Sequence, residues 1–145
     1  MPDIMLLGIE EQVLDLEPDE NPADHFPCMP CEGVHTEMRA QLYSQLMGIF
    51  FDEAESLELL VLEFGPYGPY VFKLDFTICE RLADVQEDDI EQIAATWAEA
   101  ADMSSLNLDD EDLREVLSRF LYNLVHFCML TRQETVLSVF IYSEG

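Results

Sequence analysis

Within eleven residues the chain sets out His25-Phe26-Pro27-Cys28-Met29-Pro30-Cys31-Glu32-Gly33-Val34-His35. Four of these side chains are soft or borderline metal ligands, and a two-residue gap lets two thiolates meet one tetrahedral ion. Zinc held by His25, Cys28, Cys31 and His35 is the chemistry that this spacing suggests. The sequence offers no second knuckle, however, and Pro27 and Pro30 restrict how the segment could wrap an ion. The competing expectation is a set of packed or merely reduced thiols, with no cofactor.

Cys28-Met29-Pro30-Cys31 also resembles the redox motif of the thioredoxin superfamily, over those four residues. That resemblance implies a dithiol whose first cysteine sits at a helix start after a strand, where the thiolate is stabilised. Here His25, Phe26 and Pro27 precede it, the next helix is expected only near Thr36, and no βαβ pattern surrounds it. Other catalytic constellations are not distinguishable. With 31 acidic residues almost any pair of carboxylates meets a spacing rule for general acid and base. His126 lies beside the inward stripe of a helix, where a structural role is expected. The chain has no phosphate-binding glycine loop, nucleophile elbow or helical metal motif, and Asp109 to Asp112 lacks the glycine and distal glutamate of a calcium loop. The expectation is therefore a protein that is not an enzyme.

Charge carries more information. Six bases, Arg39, Lys73, Arg81, Arg114, Arg119 and Arg132, face the 31 acids, for a net charge of -25. Such an excess costs stability through self-repulsion while speeding encounters with cations and basic surfaces. Nucleic acid and anionic membrane are excluded as direct partners, because binding to either draws on Lys and Arg. A basic protein fits. Between Arg81 and Arg114 stand eleven acids and no base. On a helix over this stretch Asp88, Glu91, Glu99 and Asp102 fall opposite Ile90, Ile93, Ala94 and Trp97, so burying one face presents the other as a carboxylate stripe.

The elements that would position these groups follow from periodicity. At 145 residues, 49% hydrophobic and with a mean hydropathy of +0.03, the chain can close a core as one domain over 1–145. Ile4 to Ile9 reads as a strand or a helix start. An acidic, proline-rich irregular segment follows at about 16–34. Met38, Leu42, Leu46, Ile49 and Phe50 predict a helix from Thr36, its cap, to about Phe51. Leu57 to Phe64 and Tyr70 to Thr77 predict strands joined by the Gly65-Pro66-Tyr67-Gly68-Pro69 turn. A helix capped by Asp88 or Asp89 runs to about Met103, and a longer one follows Asp109 with Leu113, Val116, Leu117, Phe120, Leu121, Leu124 and Cys128 inward. Val136 to Tyr142 predicts a last strand beside the hairpin. The fold class expected is α+β, a small antiparallel sheet of central hairpin and C-terminal strand covered by about three amphipathic helices.

Met1-Pro2-Asp3-Ile4 lacks a positive stretch, the apolar run to Ile9 is too short for a signal sequence, and no run reaches a membrane span. A cytoplasmic protein with reduced cysteines is expected. The function that best explains the charge is an immunity-type inhibitor, which neutralises a basic toxin or nuclease by occupying its cationic site. Asp84, Asp88, Glu91, Glu99 and Asp102 would supply the charge, with Tyr67 and Tyr70 as anchors. Alternatives with the same composition are a DNA mimic that blocks a DNA-binding enzyme, a metal-binding or dithiol redox protein, and a salt-adapted protein of unrelated function. A small acidic secretion chaperone ranks behind these.

Overall fold

The computed structural model describes residues 3–31, 33–100 and 107–143. Its elements are β1 (Ile4–Ile9), α1 (Glu10–Leu14), β2 (Cys28–Pro30), α2 (Thr36–Met47), α3 (Phe51–Glu55), β3 (Glu58–Glu63), β4 (Tyr70–Leu74), α4 (Phe76–Ala83), α5 (Ile90–Ala100), α6 (Asp110–Gln133) and β5 (Leu137–Ser143). Five strands form one antiparallel sheet in the order β2-β1-β5-β4-β3. The α+β class is as expected, and β5 does lie beside the hairpin, pairing Phe72 with Ile141.

Strand alternation sends Met5, Leu7, Leu74, Val139 and Ile141 to one face, where they join the buried side chains of α2, α4, α5 and α6. Leu6, Val71, Phe140 and Tyr142 point to the other face, which Val13, Leu16 and Phe26 cover. Gly8 makes that cover possible. A Cβ there would lie 2.7 Å from the Phe26 ring, so the ring rests directly on the strand backbone.

Several boundaries differ from the sequence reading, each for a local reason. The segment at 16–34 is not wholly irregular: Asn21 caps a 3-10 turn at Pro22–Asp24 by accepting from the Ala23 N–H, and Cys28–Pro30 pairs with Ile4–Leu6. Pro30 is tolerated because β2 lies at the sheet edge. Helix α2 stops at Met47, since Gly48 takes φ 67° and donates to the Ser44 carbonyl at 2.9 Å. Thr36 is its first helical residue and His35 the cap position, without a side-chain bond. Strand β4 ends at Leu74, because Asp75 accepts from the Thr77 N–H at 2.8 Å and starts α4. Asp88 and Asp89 belong to a 3-10 turn leading into α5, with no side-chain cap. Asp109 does cap α6, accepting from the Asp112 N–H at 2.8 Å.

One polar cluster is buried at the junction of β1, α2 and β3. The Arg39 side chain, 1% exposed, donates through Nε to Glu58 Oε2 at 2.8 Å and through Nη2 to Glu58 Oε1 at 3.0 Å. Its Nη1 reaches Asp3 Oδ2 at 3.0 Å and the Val34 carbonyl at 2.8 Å. Tyr43 and Thr36 hydroxyls complete the shell of Glu58 at 2.6 and 3.1 Å. The fork of the guanidinium matches the carboxylate, which is why arginine suits this position.

Removing Arg39 leaves the buried Glu58 carboxylate without its counter-charge. Arg39→Met is therefore expected to lose about 3–5 kcal/mol in urea unfolding, and adding Glu58→Leu to recover much of it. A single variant within about 1 kcal/mol of the parent would remove this pair from any account of stability.

Candidate functional site

Helix α5 turns Ile90, Ala94 and Trp97 into the core. The Trp97 indole donates to the Met38 carbonyl at 2.7 Å, its ring lies 5.9 Å from that of Phe120, and Gln45 donates to the Ile93 carbonyl at 3.2 Å. These contacts fix α5 against α2 and α6. The outer face of α5 then carries Glu91, Ala95, Ala98 and Glu99 along the seam with α6.

Along that seam runs a groove. Glu87, Asp88 and Glu91 face Ser118, Arg119 and Tyr122 across its widest part, a hollow of about 530 Å³. Further on, Glu91 and Ala95 face Arg114, Glu115 and Ser118. At the far end Ala98 and Glu99 meet Asp110, Leu113 and Arg114. Asp110, Arg114, Ser118 and Tyr122 recur every fourth residue, so they form one stripe of α6. Small residues, Ala95, Ala98 and Ser118, line the seam, while among the described residues six carboxylates against two guanidinium groups give it a net negative field. The Arg114 Nε donates to the Asp110 carbonyl at 3.3 Å.

Of the acids singled out in the sequence, Asp88 and Glu91 line the wide part of this groove and Glu99 its far end. Asp102 lies outside the described residues. Asp84 is elsewhere, at the end of α4, where Arg132 holds it at 2.9 Å. Tyr67 stands 89% exposed at the hairpin tip, and the Tyr70 hydroxyl donates to the Pro66 carbonyl at 2.6 Å, bracing the turn. Neither tyrosine lines the groove. The wall that sequence reasoning missed is α6, with Asp110, Glu115 and Tyr122. Its only signal was the four-residue repeat on the side away from the apolar stripe.

The His25 to His35 segment is arranged differently. Cys28 packs with the cluster on one face of the sheet and Cys31 with the core on the other, so the sheet separates the two sulfurs. His25 pairs with Glu20 at 2.8 Å, and His35 lies exposed at the start of α2. Among the described residues no three His, Cys, Asp or Glu side chains converge on a metal position. Burial pushes the Cys31 thiol up to about 12, with the neighbouring Arg39 opposing it. Burial also raises Cys28, whose Sγ contacts the Phe26 carbonyl at 3.3 Å, and a bond to Cys79 together with burial raises Cys128. None of the three is held as a thiolate at neutral pH.

Among the described residues no helix is long and apolar enough to cross a membrane. Neither family models, curated proteins nor solved structures yield a match to this chain.

Two outcomes follow from the thiols. In the native protein a thiol reagent labels Cys28 first, while Cys31, Cys79 and Cys128 react only on unfolding; rapid native labelling of Cys31 would contradict its placement. Below pH 9 the Cys31 thiol is protonated in both folded and unfolded chains. From 9 to about 12 the unfolded chain ionises and the folded one does not, so stability falls as pH rises through that window. Tyr43, raised by burial, acts in the same direction. Urea midpoints that stay flat from pH 8 to 11 would refute this.

Proposed function

We propose that this protein is an acidic binding protein of the immunity type, an inhibitor that seats a cationic surface of a basic toxin or nuclease in the α5/α6 groove. The observation that carries the reading is the pair of facing helices whose carboxylates converge along one seam. Lysine and arginine side chains entering between the walls gain charge-assisted hydrogen bonds, and the net charge of -25 steers the encounter. Tyr122, exposed at the wide end, supplies an aromatic anchor of the kind that dominates interface energy.

Patch size favours an inhibitor over a DNA mimic. An eleven-residue helix such as α5 is about 16 Å long, which suits capping of a compact site. Mimicry of a duplex asks for carboxylates that follow phosphates over a longer track. Four free thiols support a reducing compartment, the cytoplasm. The role requires no cofactor and no catalytic step.

The test uses the tagged chain to retain basic proteins from native lysate at low salt, followed by purification of the dominant one and titration against it. Glu91→Gln, Glu99→Gln and Asp110→Asn together are expected to weaken that complex by about 10- to 100-fold and to flatten its salt dependence. Thermal stability should hold or rise as repulsion is relieved. Unchanged affinity would move the interface off the groove. Far-ultraviolet dichroism in about 10 mM salt should show a folded chain; unfolding there would assign the acidity to salt adaptation instead.

A further inference from the structure

Strand β3 has the sequence of an interior strand and the position of an edge. From Leu57 to Phe64 only Glu58 and Glu63 are polar, a near-continuous apolar run of the kind found in a strand buried on both faces. In the sheet it pairs with β4 alone.

The ladder fixes which backbone groups are left over. Leu57 accepts from the Asp75 N–H at 2.8 Å, and the Phe64 N–H donates to Pro69 at 3.0 Å. Because bonded and non-bonded pairs alternate, the main-chain groups of Glu58, Leu60 and Glu63 point away from β4. Nothing among the described residues bonds to them. The side chains tell the same story. Leu60 lies across from Phe72 on the helix-covered face and Leu59 across from Lys73 on the other, and each is 51% exposed. Both hydrophobic layers thus reach the edge and stop there. A bulge between Leu60 and Leu62 twists the strand, but it carries none of the lysine or proline that commonly blunts an edge.

Charge selects the occupant. Between Arg39 and Lys73 the chain holds Asp52, Glu53, Glu55, Glu58 and Glu63 and no base. The first three are exposed on α3 just before the strand, and Glu63 is exposed at its end. A second copy would set these acids against themselves. We infer that β3 accepts an extended segment of a basic partner as an added strand. Its main chain bonds to the free groups of Glu58, Leu60 and Glu63, its apolar residues cover Leu59 and Leu60, and its Lys or Arg flanks meet Glu63 and the α3 carboxylates. This surface shares no residue with the α5/α6 groove, so it stands or falls separately.

The probe is the capped peptide Lys-Arg-Val-Thr-Val-Val-Arg-Lys, with a control carrying Glu at every basic position, titrated into the full chain and followed by amide hydrogen exchange. The expected result is slowing of the Leu60 and Glu63 amides by about tenfold or more at saturation, and a Glu63→Lys variant that binds about fivefold more weakly. Leu60→Pro removes an outward N–H without taking a bond from the β3/β4 ladder, so it should leave the fold intact and abolish binding. Failure of the peptide to bind, equal binding of the acidic control, or protection confined to α5 and α6 would overturn the inference. A concentration-dependent dimer in sedimentation that Leu60→Pro abolishes would also overturn it, by placing a second copy on the edge.

Discussion

A guanidinium buried in a chain that has so few cations organises the rest of this structure. Desolvating Arg39 is costly, and the cost is offset only because the Glu58 carboxylate meets it in a fork and Asp3 and the Val34 carbonyl take its remaining face. Those partners come from the entry to β1, the approach to α2 and the start of β3. One side chain thereby sets where three elements meet. Once β3 is pinned through Glu58, its ladder places β4, β4 places β5, and β5 places β1. Tyr43 adds a hydroxyl to the same carboxylate, so α2 is registered against the sheet by polar contacts as well as apolar ones.

The scarcity of bases matters for how the surface is composed. Lys73 is drawn to Glu10 and Arg132 to Asp84, while Arg39 is internal. Much of the positive charge is thus committed to holding elements together, and among the described residues of the seam only Arg114 and Arg119 stand against the carboxylates of α5 and α6. That arrangement would repel were the helices held by surface contacts alone. Trp97, Phe120 and their neighbours hold them from beneath, so apolar packing carries the electrostatic strain of the groove.

How much of this could be read from the residues depended on whether one signal competed with another. The apolar stripe of α6 persists over many turns, and its inward residues Leu113, Leu117, Phe120, Leu121, Leu124 and Cys128 are buried. Helix α4 was hidden because the alternation of β4 continues through Asp75-Phe76-Thr77, and only the capping bond of Asp75 breaks the tie. Strand β2 was masked by prolines that an edge position tolerates. One wall of the groove was legible as a helical stripe, Asp88, Glu91 and Glu99. The other was not, since among so many acids the spacing of Asp110 and Glu115 carries no contrast. The thiols show the limit of motif reading: a two-residue gap is compatible with chelation on a turn, but on a strand it sends Cys28 and Cys31 to opposite sides.

The place of β5 in the sheet has a kinetic meaning. The strand that emerges last among the described elements sits in the middle, with β1 on one side and β4 on the other. While the chain is being synthesised, β3 and β4 can close their hairpin and the helices can collect, but β1 and β2 have no sheet to join until residues 137–143 leave the ribosome. Sheet completion is therefore a late, long-range event, of the kind that slows folding and leaves apolar strands uncovered in the interval. The first 24 residues carry eight acids and no base, and like-charge repulsion opposes association between copies of such a segment while it waits.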